Sequence, residues 1–201
     1  MGAATVRAFA AAGSIVTLVD LNEKDAFRVA GETGATAVIG DVSDSGFCNR
    51  TIDDVITARG RVDILVNCAG IILRANANGT ADEDWRRLLA VNVDSVFYMS
   101  RAAVRHMAPQ GSGVIVNFGS IWGDVGATGV VAYCASKGAV HQITRAMALD
   151  HVEDGIRINA VAPGEVNTPM LSSGYLTPPT AKDLDHLAQT TIPMKRLAEP
   201  E

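Results

Sequence analysis

The sequence has few of the residues that build disulfide frameworks or basic binding surfaces. It holds three cysteines in 201 residues, and 17 basic side chains stand against 22 acidic ones, for a net charge of −5. Three cysteines without a C-x-x-C pair predict free thiols in a reducing, cytoplasmic compartment. Since no basic patch stands out, nucleic acid and anionic membranes are not expected as partners.

The sequence also lacks metal-site spacing and long apolar runs. HExxH is absent, and no cluster of cysteine, histidine and carboxylate residues has the spacing of metal ligands, so no bound metal is expected. The longest charge-free apolar stretch, Val125–Ser136, is too short to span a bilayer, and no secretory signal is found near the first residue. We interpret the scattered histidines as surface or packing residues: His106, His141, His151 and His186.

Apolar residues make up 48% of the chain, enough for the core of one domain over residues 1–201. Short β-branched runs alternate with longer helical patterns, which predicts an α/β fold with a Rossmann-like, doubly wound parallel sheet. The predicted strands are Ile15–Val19, Ala37–Ile39, Val62–Val66, Val114–Phe118 and Ile156–Ala162. The predicted helices are Gly2–Ala12, Glu23–Thr33, Ser45–Ala58, Ala81–Met107 and Val130–Asp154.

Local patterns add detail to this arrangement. Asn22 has the position of a helix N-cap, and Thr80 with Glu83 three residues later has the pattern of a capping box. Glycine and proline residues interrupt the segment 170–191, which we predict to be a flap over the substrate with a short helix at Lys182–Gln189.

The two ends of the sequence are unusual for this fold class. A parallel α/β fold normally begins with a strand and a Gly-rich turn that leads into the first helix, whereas this sequence opens directly in a helix at Gly2. It stops at Arg196–Glu201, where a further helix would begin. We therefore expect the first strand and most of the Gly-rich turn to be missing, and the chain to be truncated at both ends.

Polar or turn-forming residues follow every predicted strand. In an open parallel sheet the ligand crevice lies outside the carboxyl ends of the strands. Each set alone is compatible with a helix cap or a turn, but five at one sheet edge indicate a binding site. The five sets are Asp20, Asp41, Asn67-Cys68-Ala69-Gly70, Asn117-Phe118-Gly119-Ser120 and Pro163-Gly164.

Asp20 has the position of a ribose ligand. An acid about 20 residues beyond a phosphate-binding loop accepts hydrogen bonds from the adenosine ribose hydroxyls. Gly2 would be the last glycine of that loop, so the spacing fits. Leu21 and Asn22 follow Asp20, with no arginine to bind a 2′-phosphate. The pattern favours NAD(H) over NADP(H).

Tyr133 and Lys137 stand four residues apart on a predicted helix, which places the phenol beside the ammonium. Because a neighbouring cation favours phenolate, we expect the pKa of Tyr133 to be lowered and the residue to act as a general acid and base. Ser120, just before this helix, can hold a substrate oxygen. Asn92 inside a helix is compatible with a solvent-facing side chain or with a local distortion that holds a water.

These motifs resemble the short-chain dehydrogenase/reductase family over essentially the whole chain. The resemblance implies that Tyr133 donates and accepts the proton, that Lys137 clamps the ribose and activates Tyr133, that Ser120 binds the substrate oxygen and that Asn92 holds a relay water. It rests on Asp41-Val42, Asn67-Cys68-Ala69-Gly70, Asn92, Ser120, Tyr133-x3-Lys137, Asn159 and Pro163-Gly164-Glu165-Val166-Asn167-Thr168.

The resemblance also implies where the cofactor would lie. Asp41 and Val42 would flank the adenine, and Asn67, Ala69 and Gly70 would line the middle of the site. The nicotinamide end would be lined by Pro163, Gly164, Val166 and Thr168. The substrate pocket would be shaped by Ser120, Trp122 and Met170–Leu176.

The function implied by the resemblance is an NAD(H)-dependent oxidoreductase that interconverts a secondary alcohol and a ketone, as a homotetramer or homodimer. One alternative is an NADPH-dependent 3-oxoacyl reductase, against which Asp20 argues. Another is a member of the same fold that has lost catalysis, against which the intact polar set argues. Two positions depart from the family pattern: Cys68 replaces a common asparagine, and Gly119 replaces a common serine.

Overall fold

Five strands alternate with helices along the chain in the computed structural model, which describes residues 1–200. The strands are β1 (Thr17–Asp20), β2 (Thr36–Ile39), β3 (Ile64–Asn67), β4 (Gly113–Phe118) and β5 (Ile156–Val161). The helices are α1 (Gly2–Ala11), α2 (Glu23–Thr33), α3 (Ser45–Arg59), α4 (Asp82–Leu89), α5 (Ser95–Gln110), α6 (Val131–Asp150), α7 (Pro169–Ser172) and α8 (Ala181–Thr191). The predicted α/β order is confirmed.

The strands form two parallel sheets rather than one continuous sheet. β1 pairs with β2, and the second sheet has the order β3-β4-β5. Within residues 1–200 no strand pairing joins the two sheets. The sequence predicts a doubly wound sheet that lacks one strand, and these residues form two parts of such a Rossmann-like fold.

The largest core lies on the three-stranded sheet. Ile115, in the middle of β4, is fully buried and belongs to one cluster with Ile158 of β5 and Met107 of α5. Helices α3 and α6 contribute Cys48 and Met147 to the same cluster. Helices therefore cover this sheet, as a parallel sheet requires. A smaller core consists of Leu18, Ala26 and Val29.

Of the two predicted helix N-caps, the one at Asn22 is confirmed and the one at Thr80 is wrong. The Asn22 side chain accepts a hydrogen bond from the Asp25 N–H at 3.2 Å, so Asn22 is the N-cap of α2. The capping box at Thr80 is wrong, because α4 begins one residue later with Ala81 as its cap. The Thr80 hydroxyl instead donates to the carbonyl of Asn76 at 2.8 Å, which commits it to the preceding turn.

The segment 170–191 contains α7 and α8, and the predicted helix Lys182–Gln189 lies inside α8. A capping box starts α8: the Thr180 hydroxyl accepts from the Asp183 N–H, and the Asp183 carboxylate accepts from the Thr180 N–H. None of the helices within residues 1–200 is long and apolar enough to cross a membrane.

Truncation of Ile115 tests this account of the core. The Ile115→Ala variant should lose about 3 kcal/mol of unfolding free energy, because it loses apolar burial and leaves a cavity. Leu149→Ala is the matched control, since Leu149 lies on α6 with 79% of its surface exposed, and it should change stability by less than about 0.5 kcal/mol. Urea denaturation measures both variants. An Ile115→Ala loss as small as that of the control would contradict the assignment of the core.

Candidate active site

Asn92 lies in a π-helical turn, Ala90–Asp94, between α4 and α5. It is fully buried, so the solvent-facing alternative is wrong, and the predicted local distortion is present. Its Oδ1 accepts from the Ile71 N–H at 2.8 Å, and its Nδ2 donates to the Ile71 carbonyl at 2.9 Å and to Ser136 Oγ at 3.0 Å. The amide therefore ties the chain that follows β3 to α6, and the relay water stays a prediction.

Tyr133 and Lys137 lie on one face of α6, both buried. The Lys137 Nζ is 5.6 Å from the centre of the Tyr133 ring and donates a 2.7 Å hydrogen bond to the Phe118 carbonyl at the end of β4. Trp122 packs edge-on against Tyr133, with 6.1 Å between ring centres. The predicted side-by-side placement of phenol and ammonium is confirmed.

Ser120 is buried directly after β4 and caps the 3-10 turn Ile121–Gly123. Its Oγ accepts a hydrogen bond from the Trp122 N–H at 3.2 Å. Because a hydroxyl that accepts a bond keeps its own hydrogen, Ser120 still has a donor for another oxygen. Ser120 and Tyr133 line the same cleft.

Burial sets the charge state of the pair. It raises the pKa of Tyr133, opposed by a smaller contribution from the Ser120 hydroxyl, so the expected lowering of this pKa is wrong for the structure described. Burial also lowers the pKa of Lys137, to about 8.

A cleft opens beside Tyr133. It brings together six residues that the sequence predicts for the site: Ser120, Tyr133, Pro163, Gly164, Val166 and Thr168. Trp122, Met170 and Leu171 also line it, as predicted for the substrate pocket. The remaining lining residues are Met1, Arg74, Gly119, Ile121 and Glu165.

Arg74 and Glu165 are the charged residues of this cleft, and the sequence assigned neither a role. Burial raises the pKa of Glu165, opposed by the nearby Arg74. The Arg74 Nε donates to the Ser173 carbonyl at 2.9 Å and its Nη2 to the Leu171 carbonyl at 3.1 Å. Its guanidinium lies 4.0 Å from the centre of the Tyr175 ring. Arg74 thus fastens the start of the segment 170–191 to the cleft.

The start of α1 meets the end of β3. A Cβ atom built on Gly2 would lie 3.5 Å from Cys68 Sγ, so the first turn of α1 packs beside the residue that follows Asn67. A Cβ built on Gly70 would lie 3.3 Å from Asn92 Oδ1 and 3.7 Å from Lys137 Nζ. The chain at Ala69 and Gly70, with Ala69 exposed, therefore passes directly in front of Lys137.

Asp20 and Asp41 lie at neighbouring strand ends, where the Gly40 N–H donates to the Asp20 carbonyl at 3.2 Å. Both carboxylates are exposed and each accepts a backbone N–H two residues on, at 2.9 Å and 2.8 Å. Val42 follows, half-buried against the main core. These residues form a second group, at the ends of β1 and β2.

The Asn67 amide faces the interior rather than the cleft. Its Nδ2 donates to Asn117 Oδ1 at 2.9 Å and to Ser100 Oγ at 3.0 Å. Asn117 in turn donates to Thr144 Oγ1 at 2.9 Å. This buried chain of side chains stabilises the ends of β3 and β4 and commits Nδ2 of Asn67 to the interior. The contact of Asn67 with a cofactor stays a prediction. In residues 1–200 no group of three potential metal ligands is present.

Comparison with known proteins agrees with this architecture. The family described as short chain dehydrogenase matches residues 1–177. The chain belongs to the short-chain dehydrogenase family. A curated relative, the meso-2,3-butanediol dehydrogenase of Serratia marcescens, is 40% identical over 204 residues, which cover 100% of this chain and 78% of that protein.

Two further proteins are similar to this short-chain dehydrogenase. The galactitol 2-dehydrogenase (L-tagatose-forming) of Cereibacter sphaeroides is 42% identical over 175 residues, covering 85% of this chain and 68% of the relative. The crystal structure of a gluconate 5-dehydrogenase from Burkholderia cenocepacia in complex with NADP and tartrate superimposes with a TM-score of 0.86, at 32% identity, over 99% of this chain and 79% of that one.

The site of this short-chain dehydrogenase fits the nicotinamide cofactor that the family binds. Lysine has three N–H donors, and in residues 1–200 the Phe118 carbonyl is the acceptor that Lys137 Nζ contacts. Donors thus remain for ribose hydroxyls. The glycine in front of the ammonium leaves a space that a larger residue at Gly70 would fill.

The pKa of Lys137 yields a stability test. It is about 8 in the folded chain against 10.5 as the ordinary value, so the unfolded chain binds more protons between these pH values and stability rises with pH there. From about pH 7.5 to about pH 9.5 the unfolding free energy should rise by about 2 kcal/mol relative to Lys137→Met. Urea denaturation of both proteins measures this. Parallel pH profiles would contradict the lowered pKa.

Proposed function

We propose that this chain is an NAD(H)-dependent dehydrogenase that interconverts a secondary alcohol and a ketone, with Tyr133 as general acid and base. The observation that carries the proposal is the convergence of buried Tyr133 and Ser120 on one cleft, with buried Lys137 behind the phenol. The relatives support the substrate class, since 2,3-butanediol and position 2 of galactitol carry secondary hydroxyl groups.

Ser120 and Tyr133 would share the reacting oxygen. The Ser120 hydroxyl, which already accepts from the Trp122 N–H, donates its hydrogen to that oxygen and holds it beside the phenol. Tyr133 takes the proton of an alcohol or returns one to a ketone. When bound, the nicotinamide supplies or accepts the hydride at the carbon.

Burial prepares Tyr133 for the direction of ketone reduction. Its raised pKa keeps the phenol protonated at neutral pH, and the neutral phenol is the form that donates a proton. Lys137, whose pKa is about 8, lies behind the ring and is mostly protonated at neutral pH. In ketone reduction Tyr133 gives one proton to the substrate oxygen and is reprotonated from solvent, so each turnover consumes one proton.

The cofactor would extend from the cleft to the ends of β1 and β2. Lys137 would hold a ribose, and the first turn of α1 at Gly2 would present backbone N–H groups to the phosphates. Asp20 would accept from the adenosine ribose, which favours NAD over NADP because Leu21 offers no partner for a 2′-phosphate. The other proposed contacts are Asp41, Val42, Asn67, Ala69, Gly70, Pro163, Gly164, Val166 and Thr168.

The segment 170–191 would act as a flap over the substrate. Its support is the contact between Arg74 and the carbonyls of Leu171 and Ser173, which holds the flap against the cleft. Gly174, with φ at 77°, follows at the point where the chain turns over the Arg74 side chain. We keep the homodimer or homotetramer and the cytoplasmic location as predictions.

Removal of the Tyr133 hydroxyl tests the proposed role. Tyr133→Phe should lower kcat for a secondary alcohol such as 2,3-butanediol by at least about a thousandfold, while the Kd for NADH changes by less than about twofold. Tyr98→Phe is the matched control: Tyr98 lies on α5 and does not line the cleft, so this variant should keep full activity. Retention of kcat within about tenfold in Tyr133→Phe, or about 1.4 kcal/mol of barrier, would overturn the assignment.

Cofactor choice tests the interpretation of Asp20. Asp20→Asn combined with Leu21→Arg should shift the ratio of kcat/KM for NADP over NAD upward by at least about tenfold, because it removes a charge repulsion and adds a phosphate partner. Asp54→Asn, an exposed carboxylate on α3, is the control and should leave the ratio unchanged. A parent enzyme that already prefers NADP would show that Asp20 does not select NAD by binding the adenosine ribose.

A further inference from the structure

A buried histidine outside the acid and base pair contacts the segment that carries Ser120. His141 lies on α6 at the fourth residue after Lys137 and the eighth after Tyr133, so the three side chains share one helix face. Its Nε2 is 3.4 Å from the Ser120 backbone nitrogen, and its Nδ1 is 3.1 Å from an Asp124 carboxylate oxygen. It is therefore neither a surface residue nor mere packing.

The edge of β4 explains why this contact is needed. The Val114 N–H donates to the Asp63 carbonyl, so even-numbered residues of β4 direct their backbone groups toward β3. β3 ends at Asn67, opposite Asn117. Beyond that point the strand partner is gone, and the next two even-numbered residues would have unpaired backbone groups in a buried region.

Side chains of α6 replace the missing strand partner. Lys137 Nζ donates to the Phe118 carbonyl at 2.7 Å, and His141 Nε2 accepts from the Ser120 N–H at 3.4 Å. On the opposite edge, backbone carbonyls at the end of β5 and just after it accept from the odd-numbered residues. The Gly119 N–H donates to the Val161 carbonyl at 2.8 Å, and the Ile121 N–H donates to the Pro163 carbonyl at 3.1 Å. Ser120 is thus held from both sides.

The contact fixes the tautomer of His141. A backbone N–H only donates, so Nε2 must be unprotonated, and the proton must lie on Nδ1 and point to Asp124. The hydrogen bond from His141 is the largest cause of the lowered pKa of Asp124, which keeps that carboxylate charged. Arg145 lies 3.5 Å from the same oxygen. Asp124 thus orients the imidazole as a charged acceptor.

The glycines around the ring make room for it. A Cβ atom on Gly119 would collide with His141 Nε2 and Cδ2, and one on Gly123 would lie 2.7 Å from His141 Cε1. Neither position tolerates a side chain while the imidazole keeps this place. The glycine that departs from the family pattern before Ser120 is therefore matched to His141.

A serine, a histidine and an aspartate in contact suggest a hydrolase triad, but the atoms are wrong for one. His141 Nε2 meets the backbone nitrogen of Ser120, whereas Ser120 Oγ accepts from the Trp122 N–H. No base therefore takes the hydroxyl proton, and activation of Ser120 as a nucleophile does not follow.

We propose that His141 is a positioning residue: its Nε2, oriented by Asp124, fixes the Ser120 backbone and thereby directs Ser120 Oγ into the cleft. The fixed backbone follows from the contacts alone. Only the benefit to catalysis rests on the proposed function, in which Ser120 binds the reacting oxygen.

The protonation pattern of the ring can be measured without turnover. In protein labelled with ¹⁵N-histidine, NMR at neutral pH should show His141 with Nδ1 protonated and Nε2 unprotonated, and His141→Leu assigns the signals by their loss. His186, exposed on α8, is the internal reference for an unconstrained ring. A proton on Nε2 of His141 would overturn the proposal even if the enzyme is active.

Kinetics test the effect on Ser120. His141→Leu removes the hydrogen-bond acceptor, so it should lower kcat by at least about tenfold while the Kd for NADH stays unchanged. His141→Gln keeps an oxygen that can accept from the Ser120 N–H, so its kcat should lie within about threefold of the parent value. Equal losses in the two variants, or a full kcat in His141→Leu, would overturn the proposal. Failure of Tyr133→Phe to lose activity would instead count against the proposed reaction.

Discussion

The hydrogen bond from Lys137 Nζ to the Phe118 carbonyl is the interaction on which the site depends. It places an ammonium group at the end of β4, where β4 continues beyond the end of its partner strand β3. It also joins α6 to the three-stranded sheet. Burial of this cation is costly, which appears as a pKa lowered to about 8. This buried position places the same lysine beside Tyr133 on one side and beside the chain at Gly70 on the other.

The polar groups around Lys137 provide hydrogen-bond partners for backbone groups near the ends of β3 and β4. Strands β3 and β4 end inside the molecule, so their last backbone groups need partners other than water. Asn92 pairs with both backbone groups of Ile71, and His141 pairs with the N–H of Ser120. Backbone satisfaction and placement of the reactive side chains are therefore the same set of contacts. Substitutions in this set will affect folding and activity together.

The sequence predicted the order of the strands and helices where local patterns decide it. The spacing of Tyr133 and Lys137 predicted the helix face that the two side chains share. The asparagine at position 92 left a solvent-facing side chain or a local distortion open, and the structure shows the distortion. Prediction from the sequence failed for properties that depend on burial and on contacts between distant segments. The pKa of Tyr133 moves upward because desolvation by burial exceeds the opposing hydrogen bond from Ser120. Arg74 and His141 find their partners on segments far along the chain, which no spacing reveals.

The central claim is that one oxygen of the substrate is held between Tyr133 and Ser120. A crystal structure of the protein with NADH and 2,3-butanediol, an unreactive pairing of reduced cofactor with alcohol, tests it most directly. We expect one hydroxyl oxygen within about 3.2 Å of both the Tyr133 phenol oxygen and Ser120 Oγ. A bound alcohol whose hydroxyls all lie more than about 4 Å from either group would contradict the account.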